Sequence, residues 1–214
     1  MAPQTRLAAA LPFLLALSAP VSPQQIGTQI PEVHPKLTTQ RCIAGRGCAE
    51  VQTTLVTDAL ARPLHEVGNP DVACSVTNRT QCPDAEACSR NCALEGIDYE
   101  AIGVKTEGGS LTLSLFKEAA NGSLLTVSPR VYLLGADEQD YEMLQLVNQE
   151  LTYDVDMSKA GCGVNGALYL SEMEPTGARS DVNRAGAAYG TGYCDAQCFN
   201  TTFINGLVRL SEEK

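Results

Sequence analysis

The chain has 214 residues, with 25 acidic side chains against 15 basic ones and a formal net charge of −10 at pH 7. Such a surface repels phosphate backbones and anionic lipid, so nucleic acid and membrane are disfavoured as partners and a neutral ligand fits better. Nine cysteines in one chain of this size suit an oxidising route rather than the cytosol.

Residues 1–23, MAPQTRLAAALPFLLALSAPVSP, place one basic residue (Arg6) before an apolar run from Leu7 to Leu17, then small residues and prolines. That is the layout of a secretory signal, with its exit between Ala19 and Gln24. The run is shorter than the ~20 residues a membrane span needs. Residues 24–214 are enough for one domain with a core, and the expected location is extracellular. Three sequons, at Asn78, Asn121 and Asn200, agree with export and read as glycosylation sites.

Cys42, Cys48, Cys74, Cys82, Cys88 and Cys92 lie within residues 42–92. Six cysteines allow fifteen pairings, so their pattern alone fixes none. The chain has no C-x-x-C and only His34 and His65 as histidines, which argues against a metal site. PDAEACSRNCALEG predicts the one helix, with Asp84 capping its start and Gly96 following its end.

From Gly108 onward the pattern is β. GGSLTLSLF alternates Leu111, Leu113 and Leu115 with polar residues, PRVYLLG is short and branched, and LTYDVDM sets Leu151, Tyr153, Val155 and Met157 on one face. NGALYLSEM predicts a further strand. The class is mostly β, an antiparallel sandwich.

Carboxylates are the first chemistry to weigh. Asp154 and Asp156, two apart on a strand, would share a face about 6.6–7 Å apart, and a retaining glycosidase needs two acids about 5–5.5 Å apart. A polar outer strand face explains them, and Glu150 beside them, more simply. Glu212 and Glu213 are adjacent near the terminus and fit no better. Neither histidine belongs to a nucleophile motif. The glycines of AAYGTGYCDAQC lack the lysine of a phosphate loop and read as turns that let the chain pass close to something.

QQIGTQIPEVHPKLTTQRC, CPDAEACSRNCALEGIDY, SPRVYLLG, NQELTYDVDM, CGVNGALYLSEM and AGAAYGTGYCDAQC, in this order over nearly all of residues 24–200, together resemble the glycoside hydrolase family 7 cellulases, most of all the endo-β-1,4-glucanases. The resemblance implies the N-terminal part of a two-sheet β-sandwich (jelly-roll, concanavalin-like) with a glucan cleft on its concave face. It implies retaining hydrolysis of β-1,4-glucosidic bonds in cellulose, with no cofactor, no metal and no obligate protein partner. The family's catalytic acids lie in an E-x-D-x-x-E strand just after a Cys-Cys pair, and neither motif occurs in residues 1–214. The catalytic residues are therefore expected beyond Lys214, and the chain is expected to be an incomplete, inactive piece. A non-catalytic glucan-binding or structural remnant is the alternative.

Residue by residue, the resemblance assigns glucan contacts to Arg130, Asn165, Tyr169, Asp195 and Gln197, although polar residues at turns and strand ends explain the same pattern. It implies bridges Cys42–Cys48, Cys74–Cys92 and Cys82–Cys88, and leaves Cys162, Cys194 and Cys198 unpaired, because their family partners lie in the absent part. In TDALARPLHEV the chain keeps Asp58, Arg62 and His65 but has Ala61 and Pro63 where the family carries aromatic rings that stack on sugars. Proline also lacks a backbone donor, so this strand is expected to be weak unless it is an edge.

Overall fold

The computed structural model describes residues 24–195 and the strands at 203–204 and 207–208. The architecture is mostly β. The chain opens with a short strand, β1 (Gln25–Ile26), and then a long hairpin of β2 (Lys36–Ile43) and β3 (Gly47–Thr57), rich in threonine and branched residues. The pairing runs from Lys36↔Thr54 to Ile43↔Gly47, so Cys42 faces Cys48 across the ladder, and their disulfide closes it with Cα atoms 3.9 Å apart. Beyond β3 come β4 (Leu64–Glu66), β5 (Asn69–Ala73), helix α1 (Ala85–Asn91) and β6 (Cys92–Leu94). Four strands pair in the order β1-β6-β4-β5, with β1 parallel to β6 and the rest antiparallel.

Two hairpins follow: β7 (Val104–Glu107) with β8 (Ser110–Leu113), and β9 (Phe116–Glu118) with β10 (Leu124–Thr126). β11 (Val131–Leu134) then returns to the free side of β3, giving a sheet in the order β11-β3-β2. β12 (Phe203–Ile204) and β13 (Leu207–Val208) form the last pair.

β3 organises the core because both of its faces are covered where it ends. Successive strand residues point to opposite sides. Leu55 joins Tyr99 and Val104 on one side, and Val56 joins Leu134, Tyr141 and Ala187 on the other. A third cluster is built largely of disulfide sulfur, with Cys82, Cys88 and Cys92 packed on Ala59, Leu94 and Ala185. The Cys74–Cys92 and Cys82–Cys88 bridges are both formed.

Several expectations need correction. The helix begins as expected, with Asp84 accepting from Ala87 N at 2.7 Å, but ends at Asn91 rather than near Gly96. Cys92 is drawn into a strand by pairing with Glu66 of β4 and by its bridge to Cys74. GGSLTLSLF is split, because β8 pairs with β7 while β9 pairs with β10, and Ser114 N turns aside to Gly103 O at 2.9 Å.

LTYDVDM and NGALYLSEM form no strand. Their alternation is intact, but a strand is stabilised by its neighbours, and no described residue forms a ladder with them. Tyr153, Val155 and Leu168 are accordingly 50, 65 and 56 % exposed. Pro63 does not weaken its strand either: it precedes β4, its carbonyl accepts from Glu95 N at 3.0 Å, and β4 lies inside its sheet. Cys194, expected unpaired, is disulfide-bonded. Any second sulfur within reach suffices for such a bond, and the expectation had tied Cys194 to the family's Cys-Cys pair alone. Cys162 is a free, exposed thiol, and Cys198 lies outside the described residues.

Candidate functional site

The candidate site gathers where β3 ends and β11 begins. Asp58 follows β3 and caps a 3-10 turn, Ala59–Ala61, by accepting from Leu60 N at 2.8 Å. A backbone bond from Asp58 N and a hydroxyl bond from Thr57 Oγ1, both 3.1 Å to Arg130 O, hold the start of β11 beside it. The other carboxylate oxygen of Asp58 accepts from Arg130 Nη2 at 2.7 Å and from the Tyr132 hydroxyl.

Arg130 lies over the Tyr193 ring, its guanidinium carbon 4.1 Å from the centroid, and Tyr132 stacks on the same ring at 5.7 Å. Tyr169 meets Tyr193 edge-on at 6.3 Å, and the Tyr193 hydroxyl donates to Asp195 Oδ2 at 2.7 Å. Tyr193 reaches this place because Gly190 passes against β3. A Cβ at Gly190 would sit 2.0 Å from Thr57 O, and its φ of +74° suits glycine. Gly192, the second glycine of YGTGYC, passes close to Gly177 instead, with a φ of +97°.

The electrostatics follow the geometry. Burial first, then the charge of Asp58 and the bond to it, push the Tyr132 phenol far above its usual range. Burial alone would lower Arg130, but the Asp58 charge, Tyr132 and the bonds to Asp58 and Tyr169 together outweigh it and hold the guanidinium more firmly charged. Burial and the bond to Asp195 raise Tyr193. Arg130 Nε is buried with no hydrogen-bond partner among the described residues.

A second polar network anchors the N-terminal arm. Arg62 grips Glu32 with Nη1 at 2.5 Å and Nη2 at 2.8 Å, Tyr99 donates to the same carboxylate at 2.5 Å, and Arg62 Nε donates to Tyr189 O at 2.9 Å. Burial opposes the charge of Glu32, but the bonds from Arg62 and His34 win and hold its pKa at about 2.

Both histidines face acceptors at both ring nitrogens. His34 meets Ala188 O at 2.8 Å and Glu138 Oε2 at 3.3 Å, and His65 meets Glu66 O at 2.9 Å and Glu95 Oε1 at 2.5 Å. Only the doubly protonated ring donates twice. Burial lowers both histidines, yet these partners raise them overall.

Of the expected glucan contacts, Arg130, Tyr169 and Asp195 come together around Tyr193. Asn165 is exposed, four residues before Tyr169. Gln197 lies outside the described residues, as does Asn200, whereas Asn78 and Asn121 are exposed. Asp154 and Asp156 are also exposed and lie off any strand, and Asp156 Oδ1 accepts from Ser158 N at 2.9 Å. The sulfurs of Cys82, Cys88 and Cys92 lie within 4.8 Å of one another, but each is spent in a disulfide and offers no thiolate to a metal.

The Glycosyl hydrolase family 7 model matches residues 26–214. The chain belongs to this family. The endo-beta-1,4-glucanase celB of Emericella nidulans is 50 % identical over 200 residues, covering 90 % of this chain and 46 % of the relative. Endoglucanase EG-1 of Hypocrea jecorina is 46 % identical over 203 residues, covering 94 % and 44 %. The native structure of the Humicola insolens endocellulase EGI superposes with a TM-score of 0.77 at 48 % identity, over 87 % of this chain and 47 % of that one. The chain thus spans about half the length of the curated relatives it matches.

Asp58, Tyr132 and Tyr193 are the members of the site that sequence reasoning missed. Asp58 stands in the TDALARPLHEV motif, and Tyr193 directly precedes Cys194, but neither position signals a meeting with Arg130.

Proposed function

We propose that this chain is the glucan-binding portion of a secreted β-1,4-glucanase of family 7. The observation that carries the reading is the cluster of Arg130, Tyr169, Tyr193 and Asp195, in which a guanidinium, two phenols and a carboxylate converge at a surface where Tyr169 and Asp195 are exposed. Donors and acceptors of this kind match ring hydroxyls, and an aromatic face matches the apolar face of a sugar ring. Relatives named as endo-beta-1,4-glucanases support β-1,4-glucan as the ligand.

Retaining hydrolysis needs an acid and a nucleophile held as a pair. Asp195 is engaged by Tyr193 and Asp58 by Arg130, and residues 1–214 contain no E-x-D-x-x-E. These residues alone therefore bind the glucan without cleaving it, which joins the enzyme's descent to the behaviour of a binding module. Calorimetric titration with cellotetraose tests the binding, and reducing-sugar release from cellulose tests the cleavage. Heat of binding without sugar release is the expected result. Absence of binding would remove the reading, and turnover abolished by Asp154→Asn or Asp156→Asn would restore the acid pair set aside above.

A further inference from the structure

We infer that Asp58 is the positioning residue of the glucan site, acting on the ligand only through the orientation of Arg130. The inference rests on the glucan-binding reading and goes beyond it, because Asp58 lies beneath the surface. Asp58 is 5 % exposed, whereas the Arg130 side chain is 35 % exposed.

The carboxylate divides its work between two oxygens. One fixes the backbone turn through Leu60 N, and the other fixes Arg130 Nη2 and the Tyr132 hydroxyl. Arg130 is thereby held at one edge by a charged bond and on one face by Tyr193 at 4.1 Å. Nε is buried, so the donors that can meet a ligand are those on the exposed third of the side chain, which is 35 % exposed. A guanidinium free to rotate would have to be ordered again on binding, at a cost in affinity.

Asp58→Asn separates the two tasks. The amide oxygen still accepts from Leu60 N, but the NH2 group cannot accept from Arg130 or Tyr132. We expect this variant to bind cellotetraose about tenfold more weakly than the unaltered chain, the effect of one charge-assisted bond. Binding is compared at a temperature where circular dichroism shows both proteins folded.

Nitrogen-15 spectra of the arginine side chains supply a readout that a merely structural role would not move. The Arg130 Nη signals should be split in the unaltered chain, because rotation is hindered, and averaged in Asp58→Asn. Unchanged affinity in Asp58→Asn, or signals that stay split in the variant, would overturn the inference. If the unaltered chain binds no cellotetraose, the glucan-binding reading fails instead, and the ligand-free spectra still decide whether Asp58 fixes Arg130.

Discussion

Arg62 meets Glu32 through both terminal nitrogens, at 2.5 and 2.8 Å, with their side chains only 0 and 7 % exposed. Arg62 belongs to the segment after β3 and Glu32 to the N-terminal arm, so the pair fastens the arm to the body. Breaking such a buried pair from one side leaves an uncompensated charge, which costs about 3–5 kcal/mol. Arg62→Met should lose stability of that order in denaturant unfolding. Adding Glu32→Gln to Arg62→Met should recover much of it, because the stranded carboxylate is then neutral.

The pH dependence follows from charged groups of opposite sign. Glu32 has its folded pKa lowered from 4.5 to about 2, so its contribution is complete above the unfolded value and is lost as pH falls from 4.5 towards 2. His34 and His65 are raised above 6.5, so theirs is complete below 6.5 and is lost as pH rises through their folded values. Melting temperature should therefore be highest between about pH 4.5 and 6.5. His34→Gln should flatten the alkaline limb and leave the acid limb in place.

The cysteines should separate by reactivity. Cys162 is exposed and free, so a thiol alkylator should modify it in the folded protein. Cys194 is bonded and should resist until a reductant is added. Peptide mapping under non-reducing conditions should recover the Cys42–Cys48, Cys74–Cys92 and Cys82–Cys88 bridges.

The unpaired apolar residues should drive association. Tyr153, Val155, Leu168 and Leu170 are each at least half exposed, and unpaired strand-like segments template pairing with other chains. Light scattering should show concentration-dependent self-association, and Val155→Lys should reduce it. A monodisperse monomer at all concentrations would show that this apolar run is covered in solution.

The sequence made legible what is short-ranged or carries a periodic signal. Asp84 announces its helix because a cap acts within three residues, and PRVYLLG announces β11 through branched residues. The hairpin of β2 and β3 is harder to see, because its outer half is exposed on both faces and has no alternation to display. LTYDVDM shows the opposite failure, with perfect alternation and no ladder. In the site, Arg130, Tyr169 and Asp195 were reachable through the family's motifs. The partnership of Asp58 with Arg130 was not, because it joins residues 72 positions apart and depends on how β11 returns to β3.

The stretch without secondary structure between Leu144 and Glu172 joins two parts of the fold that already hold each other. Gln24 N reaches Val182 O at 2.9 Å, Arg62 Nε reaches Tyr189 O at 2.9 Å, and the Tyr141 hydroxyl reaches Thr191 O at 2.7 Å. Lys159, exposed in that stretch, is its one basic residue. A single tryptic nick after Lys159 should therefore give two bands on a denaturing gel and one peak on a native column. The covalent thread at that point is dispensable for cohesion, which makes it the natural place to open the chain in a circular permutant.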